Sequence, residues 1–397
     1  MALPTITWVP LDRVAIARLG RVMKTALADE RSALKSLLHG NPQPQPAIDR
    51  ELDPTAVGDL LRFGIIEQSG ELLRSRFQAQ LIGSHLVFSD LRQSMRAVRK
   101  TNERDTYVDP MWEGPTLSNL LVREPAESGL DMGCGCGVIA LAMSTYCSRV
   151  VALDLNPRAL MLASFNMALN GVDNVEVLES DLFSAVEGAT FDRIVFNAPV
   201  GMELIPRNAL ESGEQILIRF FSSLSKHLKR GGMLQMNVCV KDWSKASLAM
   251  NLRAWLGGDH EDFQSLFIEL WRVESGIKFN VRRWLAPFVL PRWYGRLLRI
   301  RRGLLIVERN GVPTHAETAS TYDKWATSLG PSFGSSLIQS LMGADPGKEH
   351  GEPVATVLNH LGADNRTFGG SVTAAIFGKL QKVQRFTPPP YFGNSHS

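Results

Sequence analysis

Residues 130–137 read Leu130-Asp131-Met132-Gly133-Cys134-Gly135-Cys136-Gly137, and the apolar run Val150-Val151-Ala152-Leu153 behind them ends in Asp154. Three glycines at alternate positions strip the side chains from a strand-to-helix turn. Backbone there can touch a ligand, and the N–H groups that open the following helix point at it. An acid closing the next apolar strand is placed to accept hydrogen bonds from both hydroxyls of a ribose. Together the two features predict a ligand that carries a nucleoside.

Outward from this turn the pattern alternates between strand and helix. Strands are predicted at 130–132, 150–154, 175–178, 192–197, 233–240, 263–271 and 304–309. Between them lie helical stretches such as 156–169, with Asn156 as cap and Pro157 in the first turn, and 214–229. Alternating units of this length predict a parallel, doubly wound α/β sheet. Ligands of such sheets bind outside the carboxyl ends of the strands. The polar residues that carry chemistry fall at those ends: Asp131 before the glycines, Asp154 after the second strand, Asp181-Leu182 after the third, and Asn197-Ala198-Pro199-Val200 after the fourth.

In this order and spacing the sequence resembles class I S-adenosylmethionine-dependent methyltransferases, over about residues 105–310. The resemblance implies a Rossmann-like, doubly wound, seven-stranded sheet and S-adenosyl-L-methionine as cofactor. It implies that Asp131 and the glycines Gly133, Gly135 and Gly137 form the first motif and receive the methionine part. Asp154 would then hold the ribose, and Asp181 with Leu182 the adenine edge. Asn197-Ala198-Pro199-Val200 stands where the small-domain branch carries an Asn/Asp-Pro-Pro-aromatic motif. That branch methylates planar nitrogens, namely the glutamine amide of release factors and exocyclic amines of nucleobases. Asn197 is accordingly expected to border the cofactor and to orient the acceptor with the Ala198 carbonyl, and Pro199 to shape the turn. The segment ending Leu86-Val87-Phe88-Ser89-Asp90 also looks like two-domain bacterial members of the branch.

The chain departs from the branch motif twice. Ala198 keeps a carbonyl but loses the rigidity of proline. Val200 removes a ring whose stacking on a flat substrate would be worth about 1–3 kcal/mol, and strand alternation aims Phe196 away from a neighbouring site. The cofactor half reads as complete and the substrate half as altered, which leaves a cofactor-binding scaffold without transfer activity as an alternative. A nicotinamide enzyme fits less well, because its fingerprint is G-x-G-x-x-G and an Asn-x-Pro segment has no part in hydride transfer. Cys134 and Cys136, in so tight a turn, read as small packing residues. Asp131 is also expected to order the turn by accepting backbone N–H groups.

The rest of the chain bounds these readings. Its 397 residues suggest two or three domains: an N-terminal helical, winged-helix-like domain over 1–100, the methyltransferase domain over 101–310, and a C-terminal extension over 311–397. A net charge of +3 does not by itself argue for nucleic acid. The four cysteines form no CxxC pair, which argues against a zinc site and a disulfide framework. There is no signal-like start and no run of about twenty apolar residues, so a cytoplasmic protein without a membrane span is expected. Residues 11–38 have helical periodicity, Gly40–Pro46 reads as a loop, Pro54–Phe63 as a short helix stopped by Gly64, and 65–74 as a hairpin around Ser69-Gly70. Helices followed by a hairpin outline a winged helix, but the segment is not notably basic, which favours packing or substrate docking over DNA binding. The segment 272–303 reads as an insert holding Arg282, Arg283, Arg292, Arg296, Arg299, Arg301 and Arg302 with no acid between the first and the last, interleaved with Trp284, Trp293 and Tyr294. It is a candidate RNA contact, a membrane-surface or acidic-partner contact, or a solvated cover over the sheet edge. The methyl acceptor stays open between protein, RNA and a small molecule. Tyr107, before Asp109-Pro110, lies where related enzymes close a lid over their ligands.

Overall fold

The computed structural model describes residues 5–9, 12–91, 108–110, 113–198, 213–241, 248–274, 299–310 and 315–317. Its contacts divide the chain into two compact units: Met1–Ser118, Pro125–Phe196 and Pro206–Leu210 in the first, and Asn119–Glu124, Asn197–Ile205 and Glu211–Ser397 in the second.

The first unit opens with α1 (Arg13–Leu27), α2 (Ala33–Leu38), β1 (Gln43–Pro44), α3 (Gln45–Ile48) and α4 (Pro54–Arg62). The hairpin β2 (Ile66–Ser69) and β3 (Leu72–Ser75) follows. Helix α1 buries Ile16, Leu19, Met23 and Leu27, the three-and-four spacing of one helical stripe. Asp53 caps α4 by accepting from the Ala56 N–H at 3.0 Å, and Pro54 occupies the first turn, where a missing N–H costs nothing. The three strands form an antiparallel sheet in the order β1-β3-β2, the helices-then-hairpin outline expected from the sequence. The loop expected at Gly40–Pro46 is shorter than that, since Pro46 lies in the first turn of α3.

A second hairpin, β4 (Phe77–Ile82) and β5 (His85–Asp90), leads on to α5 (Glu113–Leu120), β6 (Ala126–Met132), α6 (Val138–Met143), β7 (Cys147–Asp154), α7 (Pro157–Asn170), β8 (Val175–Glu179) and β9 (Phe191–Asn197). Within this part β6 pairs in parallel with both β7 and β9, and β7 with β8. Right-handed βα units of this kind bury the strands on both faces, which is why Val150 to Leu153 are apolar without alternation.

Helix α7 joins the hairpin to this sheet by polar contacts. The Asn166 amide accepts from the Phe88 N–H at 2.8 Å and donates to the Phe88 carbonyl at 2.9 Å and the Cys136 carbonyl at 2.8 Å. One turn on, Asn170 pairs with both backbone groups of Leu86 at 3.0 and 2.8 Å. Two side chains on one helix face thus act on β5 as a neighbouring strand would. Helix α1 crosses α7 at Gly20, where a Cβ would lie 1.9 Å from the Leu169 carbonyl oxygen. Phe165 fills the remaining space, edge-on to Phe63 and Phe88 at 6.2 and 5.7 Å.

The second unit contains α8 (Gly213–His227), β10 (Leu228–Lys241), α9 (Leu248–Leu256), β11 (Phe263–Glu274), β12 (Arg299–Arg309) and the short β13 (His315–Glu317). Here the expectation of a parallel sheet is corrected. Strand β12 returns between β10 and β11 and pairs antiparallel with both, while β13 lies parallel to β11. A strand that comes back beside its predecessor needs no crossover helix and so runs antiparallel. The seven strands expected from the sequence are all present, and β13 adds an eighth. The insert is also shorter than 272–303: Arg272–Glu274 extend β11 and Arg299–Gly303 belong to β12. Arg282, Arg283, Arg292 and Arg296, with Trp284, Trp293 and Tyr294, lie outside the described residues, as does the 311–397 tail apart from β13.

Asn166→Leu leaves one buried N–H and two buried carbonyls without their partners. It should destabilise the protein by about 3 kcal/mol, at roughly 1 kcal/mol or more per orphaned group, and the half-buried Asn170→Leu by less. Urea unfolding of the purified variants measures both; equal, small losses would show that the asparagines do not tie the hairpin to the helix.

Candidate active site

The turn after β6 has left-handed backbone at Gly133, Gly135 and Gly137, with φ of +66°, +54° and +83°. Two of these positions differ instructively. A Cβ on Gly137 would lie 2.6 Å from the Met167 methyl and 3.3 Å from the Ala163 Cβ, so this glycine lets α7 pack against the turn. A Cβ on Gly135 would meet nothing within 4 Å. That glycine presents bare backbone to open space, as a ligand cradle requires. The turn is fixed by the Cys134 N–H donating to the Leu153 carbonyl at 2.8 Å and by the Gly137 N–H donating to the Cys134 carbonyl at 2.8 Å. The Asn166 amide on the Cys136 carbonyl completes it.

Two carboxylates flank the turn. Asp131, only 1 % exposed, accepts from the Ala140 N–H in the first turn of α6 at 2.8 Å, the ordering role expected of it. Burial pushes its carboxyl up to about 8, and the charge of Asp154 adds to the rise. Asp154 accepts from the Gly135 N–H at 2.8 Å through one oxygen and from the Asn156 N–H at 2.9 Å through the other. Burial raises its carboxyl too, against these backbone donors. The Leu155 N–H adds a third backbone donor to this carboxylate.

The end of β8 lies alongside, since the Ser180 N–H donates to the Asp154 carbonyl at 2.9 Å. Asp181 follows, exposed. Leu182 has a φ of +50°, unusual for a residue with a branched side chain. It is held there by Ser180, whose hydroxyl donates to the Leu182 carbonyl at 2.7 Å and accepts from the Ala185 N–H at 3.0 Å. Strain of this kind, of order 1–3 kcal/mol, persists where surrounding contacts over-determine it, often at ligand sites.

Asp131, Gly133, Gly135, Gly137, Asp154, Asp181 and Leu182 are therefore one cluster within the first unit. Leu155 joins it, 63 % exposed immediately after Asp154. In sequence it reads only as the overrun of an apolar strand, and its exposure is what marks it. The Cys134 and Cys136 side chains are buried and burial pushes both thiols up, which suits packing and not nucleophilic work. Among the described residues no group of histidines, cysteines and acids is placed to hold a metal.

Asn197 ends β9 and belongs to the second unit. Its side-chain oxygen accepts from the Asn237 amide on β10 at 3.1 Å. Asn237 was not singled out by sequence reasoning, because one asparagine inside a strand has no spacing signature. The bond fixes the orientation of the Asn197 amide and leaves its oxygen a second lone pair. Pro199 and Val200 lie outside the described residues, as does Tyr107. Val108 beside it is anchored: its N–H donates to Asp90 at 2.9 Å, its carbonyl accepts from the Asp90 N–H at 2.9 Å, and Asp90 is in turn ion-paired with Arg158 at the start of α7.

Residues 116–253 match the methyltransferase small domain family. The chain is 33% identical over 139 residues to YbxB of Bacillus subtilis, an uncharacterized protein, with 33% of this chain and 64% of that one covered. It is 34% identical over 143 residues to a putative protein N5-glutamine methyltransferase of Methanocaldococcus jannaschii, covering 32% of this chain and 70% of that one. A release factor glutamine methyltransferase of Koribacter versatilis is 33% identical over 162 residues, 34% of this chain and 58% of that one. The matched segment thus spans between about half and about two thirds of the relatives' own lengths, and it holds the glycine turn, Asp154 and Asn197. The chain belongs to the methyltransferase small-domain family, a branch of the class I S-adenosylmethionine-dependent methyltransferases.

Proposed function

We propose that this protein transfers a methyl group from S-adenosylmethionine to a nitrogen, or another heteroatom, of a protein, RNA or small-molecule acceptor. The observation that carries the reading is the bare glycine turn clasped by Asp154 beside a second buried carboxylate. The charge of Asp154 raises the affinity of Asp131 for a proton, and a ligand bearing positive charge beside the same carboxylate is favoured for the same reason. When bound, the cofactor supplies an electrophilic methyl on a cationic sulfur, which suits that field.

In this reading the turn at Gly133, Gly135 and Gly137 receives the methionine part, with the Ala140 N–H tying Asp131 beneath it. Asp154 accepts hydrogen bonds from the ribose hydroxyls. Asp181 and Leu182 border the adenine, and Leu155 offers the ring an apolar surface. Asn197, with the Ala198 carbonyl, accepts hydrogen bonds from the acceptor and turns its lone pair toward the methyl carbon; Pro199 shapes the backbone that carries them. The acceptor lone pair forms the new bond as the sulfur–methyl bond breaks, the electron pair stays on sulfur, and the acceptor releases a proton to water. Most of the acceleration comes from alignment.

Calorimetry with S-adenosylmethionine should show binding that Asp154→Ala weakens by about a hundredfold or more, some 2.7 kcal/mol; unchanged affinity would remove Asp154 from the site. Asn197→Ala should keep most of the cofactor affinity while labelling of a cell lysate from radiolabelled cofactor drops about a hundredfold, the cost of a misplaced reactant. Binding of cofactor without any labelled product from the unaltered protein would favour the scaffold reading.

A pH dependence follows from Asp131. Its carboxyl is ordinary in the unfolded chain and held at about 8 in the folded one. Folding therefore takes up a proton between these values, and stability declines as pH rises through that window. Asp131→Asn keeps an acceptor for Ala140 and loses the titration. The melting temperature of the cofactor-free protein should fall relative to this variant from about pH 5 to about pH 8, and saturating cofactor should narrow the gap. A parent protein that gains on the variant over that range overturns the assignment of a buried, proton-seeking acid.

A further inference from the structure

Gln235 and Asn237 stand at alternate positions of β10, and alternate residues of a strand share a face. Both interrupt an otherwise apolar run, in which Met233, Leu234, Met236 and Val238 are buried. Asparagine is among the residues that strands avoid, and an amide among buried neighbours costs free energy unless it is hydrogen-bonded. Each amide therefore has to be explained by what it binds.

Gln235 has a structural explanation. It is buried, its side-chain oxygen accepts from the Val122 N–H at 2.7 Å, and its nitrogen donates to the Leu120 carbonyl at 3.1 Å. It thus satisfies two backbone groups of the chain around the end of α5. Asn237 differs. It is half-buried, and among the described residues its side chain makes one hydrogen bond, 3.1 Å from its amide nitrogen to the side-chain oxygen of Asn197. Asn197 is half-buried too, and among the described residues its side chain has no other hydrogen bond. Neither amide satisfies a backbone group. A single bond between two partly exposed side chains adds little to stability. What it adds is order, because the terminal torsion of a free asparagine side chain is broad. Asn237 is fit to impose that order: its backbone pairs opposite the buried Leu304, and Met236 and Val238 on either side of it are buried.

The residue after Asn197 shows why order is needed there. A proline at that position confines the residue before it to extended backbone, and the rotamers open to a side chain depend on its backbone. Ala198 sets no such limit on Asn197, which closes β9. We propose that Asn237 is a positioning residue: its amide holds the Asn197 side chain in the orientation that methyl transfer requires, in place of the proline absent at position 198. The inference rests on the transfer reading of Asn197 and adds to it a second asparagine that acts through the first.

The test is the initial rate at which the full chain labels a cell lysate from radiolabelled S-adenosylmethionine at saturating cofactor, with cofactor affinity by calorimetry as the folding check. Asn237→Leu is close in shape and lacks the N–H donor. It should keep cofactor affinity within about twofold and lower the labelling rate at least about tenfold, inside the hundredfold that a misplaced reacting group costs. Should it fail the folding check, Asn237→Asp, the same shape without the donor, answers the same question. A merely structural bond would not respond to stiffening of the backbone at position 198, whereas a positioning bond does. Ala198→Pro should therefore raise the labelling rate at least about threefold more in the Asn237→Leu protein than in the unaltered one, the coupling expected of two residues that restrain one group. Equal labelling rates in the folded variant and the unaltered protein overturn the proposal, and so does an Ala198→Pro effect of the same size in both backgrounds. Either result leaves the methyltransferase reading standing. An unaltered protein that binds cofactor and labels nothing removes that reading, and this inference with it.

Discussion

A turn with three left-handed residues at alternate positions cannot hold itself. Each glycine has more freedom to lose than any other residue, and the tight geometry leaves few bonds the turn can make internally. Its fixed shape is imposed from outside: by the Leu153 carbonyl and the Asp154 carboxylate at the end of β7, and by the Asn166 amide on α7. The ligand cradle therefore exists only when β7 and α7 are already packed beside β6. This explains why so much of the first unit serves α7. Gly20 lets α1 approach its backbone, Phe165 fills the space beneath, and Asn166 and Asn170 fasten the β4–β5 hairpin to its outer face. Arg158 in its first turn anchors Asp90, and through it the backbone at Val108.

The same arrangement decides the class of ligand. Burial raises the carboxyls of both Asp131 and Asp154, and the charge of Asp154 raises that of Asp131 further. A dinucleotide places a pyrophosphate at the glycine turn, where the charge of Asp154 would oppose it. A ligand with a cationic sulfur and an ammonium group meets the opposite situation. Asp154 is the clasp that shapes the turn, and in the proposed function it is also the acceptor for a ribose.

Much of this was legible in the sequence, and for identifiable reasons. The seven strands show as apolar runs bounded by turn residues, Asn156 and Pro157 mark a helix start, and the acids fall at strand ends. These are local patterns. What escaped is non-local. The antiparallel return of β12 between β10 and β11 depends on which strands become neighbours, and no single segment records that. Arg299–Gly303 was assigned to the insert because arginines mask the strand pattern that Leu304–Val307 show plainly. Asn166 and Asn237 each matter through a partner far away in the chain, 78 residues to Phe88 for the one and 40 residues to Asn197 for the other. Leu155 looked like the continuation of a buried strand, and only its exposure distinguishes it.

The substrate side differs from the cofactor side in how it is held. In the branch motif a proline after the asparagine stiffens the backbone that aims the amide. Ala198 lacks that ring, so stiffness has to come from elsewhere if Asn197 is to orient anything. Asn237 offers it: a hydrogen bond to the Asn197 oxygen restrains the side-chain torsion that a proline would leave free. Asn237 is itself set by the pairing of β10 with β12 opposite Leu304, in the most deeply buried part of that sheet. The constraint has moved from a local ring to a side chain borne by a core strand.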